Sequence, residues 1–149
     1  MALRLAFEKA SYIASASDES IVIGSDQTVD CNGEILGKPG NFERARTQLQ
    51  QLSGHTVTFT TGLCVINTVT QECQQDLVKY SVSFRQLDAA EIDRYLTIDK
   101  PFNCAGSFKS ESLGISLLNK MNGDDPTALI GLPLIRLTAM LRESGLSIP

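Results

Sequence analysis

The apolar positions of the chain alternate between helical and extended spacing. Leucine, alanine and isoleucine recur at helical spacing through residues 3–14, and this recurrence predicts an amphipathic helix. The same spacing predicts three further helices at residues 41–54, 88–96 and 133–145. In the last of these, the pattern places Leu134, Leu137 and Leu141 on the inward face.

Capping signals support the limits of the two middle helices. Asn41 precedes the apolar stripe of the first, which Gly54 closes. The segment Asp88–Glu91 has the spacing of a capping box, and its flanking apolar residues supply a hydrophobic staple. Gly123–Pro126 marks a tight loop before the last helix.

Extended segments lie between these helices. The apolar, β-branched run Ile21–Ile23 predicts a short strand buried on both faces. Residues 55–61 and 77–85 alternate, which is typical of half-exposed antiparallel strands, and residues 64–70 predict another strand between them. The order predicts a mixed α/β fold with a three-layer-like arrangement, in which helices flank a central mixed sheet.

Length and charge then limit the function. A chain of 149 residues predicts a single domain over residues 1–149. A net charge of −4 without a basic cluster argues against a nucleic-acid polymer as partner. No apolar run is long enough for a membrane span, and the charges of Arg4, Glu8 and Lys9 argue against a signal peptide. We therefore expect a cytoplasmic protein whose four cysteines are free, mostly buried thiols.

Asp26 is the first candidate for chemistry, because it directly follows the predicted buried strand. A carboxylate at such a strand end suits a general base that activates water, or a ligand for a hard cation such as Mg²⁺. The alternative is an aspartate that caps a turn after the strand, and the pattern alone does not separate the two.

Other charged residues have a chemical and a structural interpretation each. Lys9 and Lys38 could meet a phosphate or face solvent. Glu111 follows a stretch of small residues; it could accept two hydrogen bonds from a guanine edge or face water. Asp124 and Asp125 fit a structural turn. The single His55 cannot complete a Cys/His zinc set and fits a surface position.

Many of these residues stand in motifs that resemble the Maf family of nucleotide pyrophosphatases, in order and spacing. The resemblance extends over nearly the whole chain. The motifs are Leu5-Ala6-x-Glu8-Lys9-Ala10, Ile23-Gly24-Ser25-Asp26-Gln27, Gly37-Lys38-Pro39, Leu52-Ser53-Gly54-His55, Thr61-Gly62-Leu63, Phe84-Arg85-x-Leu87, Glu91-Ile92-x-x-Tyr95, the run from Cys104 to Glu111 and Gly131-Leu132-Pro133-Leu134.

The resemblance implies a Maf/ITPase-like fold and cleavage of a nucleoside triphosphate between its α and β phosphates. It implies Asp26 as the proton acceptor and candidate metal ligand, with Mg²⁺ or Mn²⁺ as cofactor. Lys9 and Lys38 match family lysines near the phosphates. Gln27 and Glu111 match the selectivity residues of the branch that acts on 7-methyl-GTP, and a homodimer fits the family.

Two departures from the family pattern leave other interpretations open. Ser112 stands where the family usually has glycine, which predicts a shifted loop if that glycine has a positive φ. The family's N-terminal strand and its Ser-x-x-Arg-type loop are absent from this sequence, so we expect an N-terminally truncated domain. The alternatives are therefore a catalytically impaired remnant that binds a nucleotide or a partner protein, and a dTTP/UTP pyrophosphatase.

Overall fold

The computed structural model describes residues 1–149 and contains four α-helices and five strands. The strands follow the order β2-β1-β3-β4-β5 in one sheet, in which β1 pairs with β2 and β4 with β5, both antiparallel. The mixed α/β class is therefore confirmed. The elements are α1 (Ala2–Ala14), β1 (Ile21–Cys31), β2 (Glu34–Leu36), α2 (Phe42–Leu52), β3 (Thr56–Asn67), β4 (Cys73–Phe84), α3 (Ala89–Asp99), β5 (Leu118–Asn122) and α4 (Leu134–Glu143).

The chain forms two compact units. The first contains Met1–Gln27, Thr60–Lys79 and Asp125–Pro149, and the second contains Thr28–Phe59 and Tyr80–Asp124. The chain passes from one unit to the other within β1, β3 and β4. The single domain expected from the length stays a prediction.

In the first unit, helices cover both faces of the central strands. Ala6 and Ala10 of α1 pack against Val22 and Cys64. Leu137 and Met140 of α4 pack against the neighbouring strand residues Leu63 and Val65. Because successive strand residues point to opposite faces, the uninterrupted apolar run 63–66 serves both helices.

In the second unit, three phenylalanines form the centre of the packing. The ring of Phe108 lies 5.9 Å from that of Phe59 and 5.4 Å from that of Phe84, measured between centroids. Helices α2 and α3 pack against each other. Both helices begin as predicted: Asn41 Oδ1 accepts a hydrogen bond from the Arg44 N–H, and the reciprocal capping box of α3 is formed.

The structure corrects three details of the predicted elements. The strand predicted at residues 21–23 continues to Cys31, and Ile23 is 42% exposed, so it is not buried on both faces. The strands predicted at residues 55–61 and 64–70 are one strand, β3, which passes through Gly62 without a break. Leu134 is exposed because it stands at the first turn of α4, ahead of the buried stripe.

Two further expectations concern thiols and membranes. All four cysteines are free, as predicted; Cys31 and Cys64 are buried, whereas Cys73 is exposed. None of the helices has the length and apolar character that a membrane crossing needs.

Candidate functional site

Asp26 lies inside strand β1, rather than beyond its end as the sequence predicted, and it does not cap a turn. Its Oδ1 accepts a hydrogen bond from Lys9 Nζ of α1 at 2.6 Å, and the same ammonium donates to the Ser25 carbonyl at 3.1 Å. The Asp26 side chain is 17% exposed and that of Lys9 57%. The pair thus joins a half-buried carboxylate to an accessible cation.

Two glycines let α1 approach the strands closely enough for this pair to form. A Cβ at Gly24 would stand 2.2 Å from the Ala6 carbonyl oxygen, and one at Gly62 would stand 2.5 Å from the Ala2 carbonyl carbon. Strand residues two apart share a face, so Gly24 and Asp26 both face α1. Because these two glycines have no side chain, α1 lies close enough to the strands for Lys9 to reach Asp26.

The residues beside Asp26 point to the other face of β1. Ser25 Oγ donates to the carbonyls of Gly62 and Gly131 at 3.0 and 2.7 Å. Gln27 Nε2 donates to Thr61 Oγ1 at 2.9 Å and to the Ala128 carbonyl at 2.7 Å. Gln27 therefore ties β1 to β3 and to the turn at Ala128, and its role in substrate selection stays a prediction.

Asp125 has a structural role, as the sequence predicted. Its side chain is buried and accepts hydrogen bonds from the Thr127 N–H at 2.9 Å, from the Thr127 hydroxyl and from the Ile135 N–H at 2.8 Å. These bonds hold the short turn Pro126–Ile130 against the start of α4.

Replacing Asp125 with Ala is expected to lower the free energy of unfolding by about 2–4 kcal/mol, because three donors lose a charged acceptor. Urea denaturation of both proteins measures this difference. Asp124 is exposed and offers the matched control: Asp124→Ala should change the unfolding free energy by less than about 0.5 kcal/mol. Equal losses in the two variants would contradict the structural role of Asp125.

Lys38 and Glu111 belong to the second unit, and both are exposed. Burial is the main cause that raises the pKa of the nearby Cys104 thiol, and the charges of Lys109, Glu111 and Lys38 act on it next. The Gly106 N–H donates to the Gly37 carbonyl at 3.3 Å, so the segment that contains Lys38 lies beside the loop that leads to Glu111. Within the first unit, the structure brings Lys9 and Asp26 together, whereas the Gln27 side chain points to the opposite face of β1.

The Glu111 loop is fixed on both sides by α3. The Lys109 N–H donates to the Tyr95 hydroxyl at 3.0 Å. The Asp99 carboxylate accepts from the Ser112 hydroxyl at 2.8 Å and from the Leu113 N–H at 3.0 Å. Burial raises the pKa of Tyr95 well above its usual value, so this hydroxyl stays protonated.

Ser112 does not have the left-handed conformation that would require glycine. Its φ is −126° and its ψ −143°, so its φ lies outside the left-handed region that favours glycine. The glycine that the loop needs is Gly114, where a Cβ would stand 2.2 Å from the Lys109 carbonyl oxygen. Ser112 therefore has no positive φ that would require the family's usual glycine at this position.

A cavity of about 450 Å³ opens beside Lys38. Arg44 and Gln48 of α2 line it together with the segment that contains Gly37 and Lys38. Glu34 and Glu43 line the same cavity, so its two basic and two acidic groups balance in charge. A phosphate would therefore depend on direct contact with Lys38 or Arg44, since the cavity as a whole is not positively charged.

A divalent metal would have few protein ligands here. The structure brings no three His, Cys, Asp or Glu side chains together as a metal site. Asp26 offers a single carboxylate, which fits Mg²⁺ when substrate phosphates and water supply the remaining oxygens. His55 is exposed, and its Nδ1 lies 2.9 Å from the Ser53 carbonyl oxygen, consistent with a surface position.

Tyr95, Asp99 and Gln48 were not among the predicted site residues. The side chain of each contacts segments that are distant in sequence, the shortest separation being the 11 residues between Gln48 and Gly37. Tyr95 occurs in one of the Maf-like motifs, which is the one signal that could have found it. For Asp99 and Gln48, helix periodicity predicts a position on the polar face of the helix but not the partners that they contact.

Comparison with known proteins shows the class to which this fold and site belong. The Maf-like protein family matches residues 1–144, and the chain belongs to the Maf family. A 7-methyl-GTP pyrophosphatase of Pseudomonas syringae pv. tomato is 53% identical over 146 residues, covering 98% of this chain and 76% of that protein. Proteins of the same name from Idiomarina loihiensis and Colwellia psychrerythraea are 55% and 48% identical, covering 87% and 97% of this chain and 66% and 72% of theirs.

Proposed function

We propose that the chain is a nucleoside triphosphate pyrophosphatase that hydrolyses 7-methyl-GTP to 7-methyl-GMP and diphosphate. The observation that carries the proposal is the Asp26 carboxylate, half-buried and oriented by Lys9, in a chain about half identical to relatives of that name. The reaction is the hydrolysis of an acid anhydride.

Asp26 is the proposed base. The oxygen of a water molecule attacks the α-phosphorus while Asp26 accepts the proton of that water. The bond between the α-phosphorus and the bridging oxygen breaks, and its electron pair leaves with the diphosphate. Lys9 contacts Asp26 through one carboxylate oxygen, Oδ1, so the other can face the water.

Positive charge near the phosphates is the second requirement of the reaction, because charge accumulates on their oxygens. Lys9 is 57% exposed, so its ammonium can contact a phosphate as well as Asp26. Lys38 is the second proposed phosphate ligand, with its exposed side chain beside the cavity described above. With a net charge of −4, attraction for the substrate depends on such placed cations.

Asp26 is also the proposed protein ligand of Mg²⁺ or Mn²⁺. When bound, the cation would neutralise phosphate charge. The protein residues would still orient the water and accept its proton. A metal titration of the activity tests this assignment.

Glu111 and Gln27 are the proposed selectivity residues. A carboxylate accepts hydrogen bonds from the N1–H and 2-amino group of a guanine, and it attracts the positive charge that methylation adds at N7. The anchored loop on α3 supports this role for Glu111, since a backbone held on both sides of Glu111 limits the positions open to its carboxylate.

The proposed setting is the cytoplasm, where nucleoside triphosphates are available and free thiols persist. The proposed partners are the nucleotide substrate and a second copy of the chain in a homodimer. Nucleic-acid polymers and membranes are not among them.

A nucleotide panel tests the function. The wild-type protein is incubated with Mg²⁺ and 7-methyl-GTP, GTP, UTP or dTTP, and the products are separated by ion-exchange chromatography. We expect 7-methyl-GMP and diphosphate from 7-methyl-GTP, with the highest kcat/KM of the set. Release of orthophosphate together with 7-methyl-GDP, or a preference for UTP or dTTP, would contradict the proposal. Nucleotide binding without turnover would instead support a catalytically impaired protein.

A further inference from the structure

Gln48 of α2 joins two segments that the function above assigns to substrate binding. Its Nε2 donates to the Gly37 carbonyl at 3.0 Å, and its Oε1 accepts from the Ser107 hydroxyl at 2.6 Å. Gly37 directly precedes Lys38, and Ser107 lies four residues before Glu111. One side chain thus contacts the backbone beside the proposed phosphate ligand and the loop of the proposed selectivity residue.

A backbone hydrogen bond runs alongside this bridge. The Gly106 N–H donates to the Gly37 carbonyl at 3.3 Å, so the oxygen of Gly37 receives one bond from each side. The bond is long for an N–H···O interaction, which leaves the shorter contact of Gln48 as the stronger restraint.

Ser107 has a conformation that needs support from outside the loop. It is fully buried, and its φ of +57° is in the left-handed region, which costs a non-glycine residue free energy. Gly106, with φ of +68°, precedes it and packs against Val29. The bond from the Ser107 hydroxyl to Gln48 holds this two-residue turn in place.

We infer that Gln48 is a positioning residue that fixes the Lys38 segment and the Glu111 loop relative to each other. An amide is the side chain suited to this task, because one end donates to a carbonyl and the other accepts from a hydroxyl. The inference rests on the proposed function for its kinetic consequences, while the bridge itself is independent of any activity.

The kinetic test compares variants that remove one or both ends of the bridge. Gln48→Met removes both bonds and keeps a side chain of similar volume. We expect its kcat/KM for 7-methyl-GTP to fall about tenfold. The ratio of kcat/KM for 7-methyl-GTP to that for GTP should fall as well. Gln48→Glu keeps the acceptor for Ser107 and loses the donor to Gly37. It should raise KM for both nucleotides alike and preserve the preference.

Ser107→Ala removes only the other end, and it should reduce the preference for 7-methyl-GTP with a smaller change in the KM of GTP. Gln50→Met, an exposed site on the same helix, is the control and should match wild type. Loss of activity with an unchanged preference in both Gln48→Met and Ser107→Ala would overturn the positioning role, since a general loss of stability acts on all substrates equally.

Amide hydrogen exchange gives a readout that needs no substrate. In Gln48→Met we expect faster exchange at the Gly106 N–H, which depends on the Gly37 carbonyl staying in place, and unchanged exchange in the core of α3. Wild-type exchange at Gly106 in this variant would refute the bridge. If exchange at Gly106 is faster in Gln48→Met but the wild-type protein does not hydrolyse 7-methyl-GTP, the bridge is supported and the proposed function is refuted.

Discussion

Asp26→Asn is expected to lower kcat for diphosphate release from 7-methyl-GTP by about a hundredfold to ten-thousandfold, the contribution typical of a general base. The asparagine keeps the shape of the side chain and an oxygen that can accept from Lys9, so α1 should stay in place. Steady-state kinetics measure the loss, and thermal unfolding checks that the fold persists.

The matched control for this substitution is Asp18→Asn, which makes the same chemical change at an exposed residue. It should leave kcat within a factor of about two of wild type, since surface changes away from a site have small effects. A comparable kcat in Asp26→Asn and wild type would refute the role of Asp26 as base. A large loss in both variants would point to a general effect of charge.

Gly24→Ala is expected to lower the free energy of unfolding by about 3 kcal/mol, the upper part of the usual range for overpacking. The added methyl would stand 2.2 Å from the Ala6 carbonyl oxygen and 2.8 Å from the Ala10 Cβ. A helix backbone cannot rotate away as a flexible side chain can, so α1 must move as a whole. Chemical denaturation measures the change.

Gly37→Ala is the stability control, because its Cβ would meet no atom within 4 Å. We expect its unfolding free energy to stay within about 0.5 kcal/mol of wild type. Gly24→Ala should also lose activity, since movement of α1 takes Lys9 away from Asp26. Full activity in a Gly24→Ala protein with wild-type stability would show that the close approach of α1 is not required.

Features set by neighbouring residues were predictable from the sequence. The Asn41 cap and the Asp88–Glu91 capping box depend on bonds across three residues, and both form as predicted. The length of β1 was not predictable, because Ser25 and Gln27 look like loop residues until their hydrogen bonds to Gly62, Gly131, Thr61 and Ala128 are known. Tertiary contacts thus overrode the local pattern.

The prediction at Gly62 failed for a related physical reason. A glycine between two apolar segments is typical of a break, and the sequence predicted two strands there. In the structure, Gly62 stays extended inside β3, because the N-terminal turn of α1 occupies the space of its side chain. Gly62 is required here by a close helix–strand contact. The sequence around a glycine does not distinguish such a contact from a turn.

Asp26 was selected for the wrong local reason, since it does not lie beyond a strand end. The motif resemblance still pointed to it, and the structure adds Lys9 as its partner, 17 residues away in sequence. Neither the local sequence pattern nor the motif resemblance predicted the Gln48 bridge, because Gln48 contacts residues 11 and 59 positions away in the sequence. Positions that orient site residues are thus the hardest to predict from one sequence.

The close packing of α1 against Gly24 and Gly62 limits the insertions and deletions that this helix can accept. Each residue of an α-helix advances it by about 1.5 Å and rotates it by about 100°. A single residue inserted between Ala6 and Lys9 would therefore either turn the ammonium away from Asp26 or bring a bulkier side chain onto a glycine. The segment from Ala2 to Lys9 should tolerate many substitutions on its exposed side, but neither insertions nor deletions.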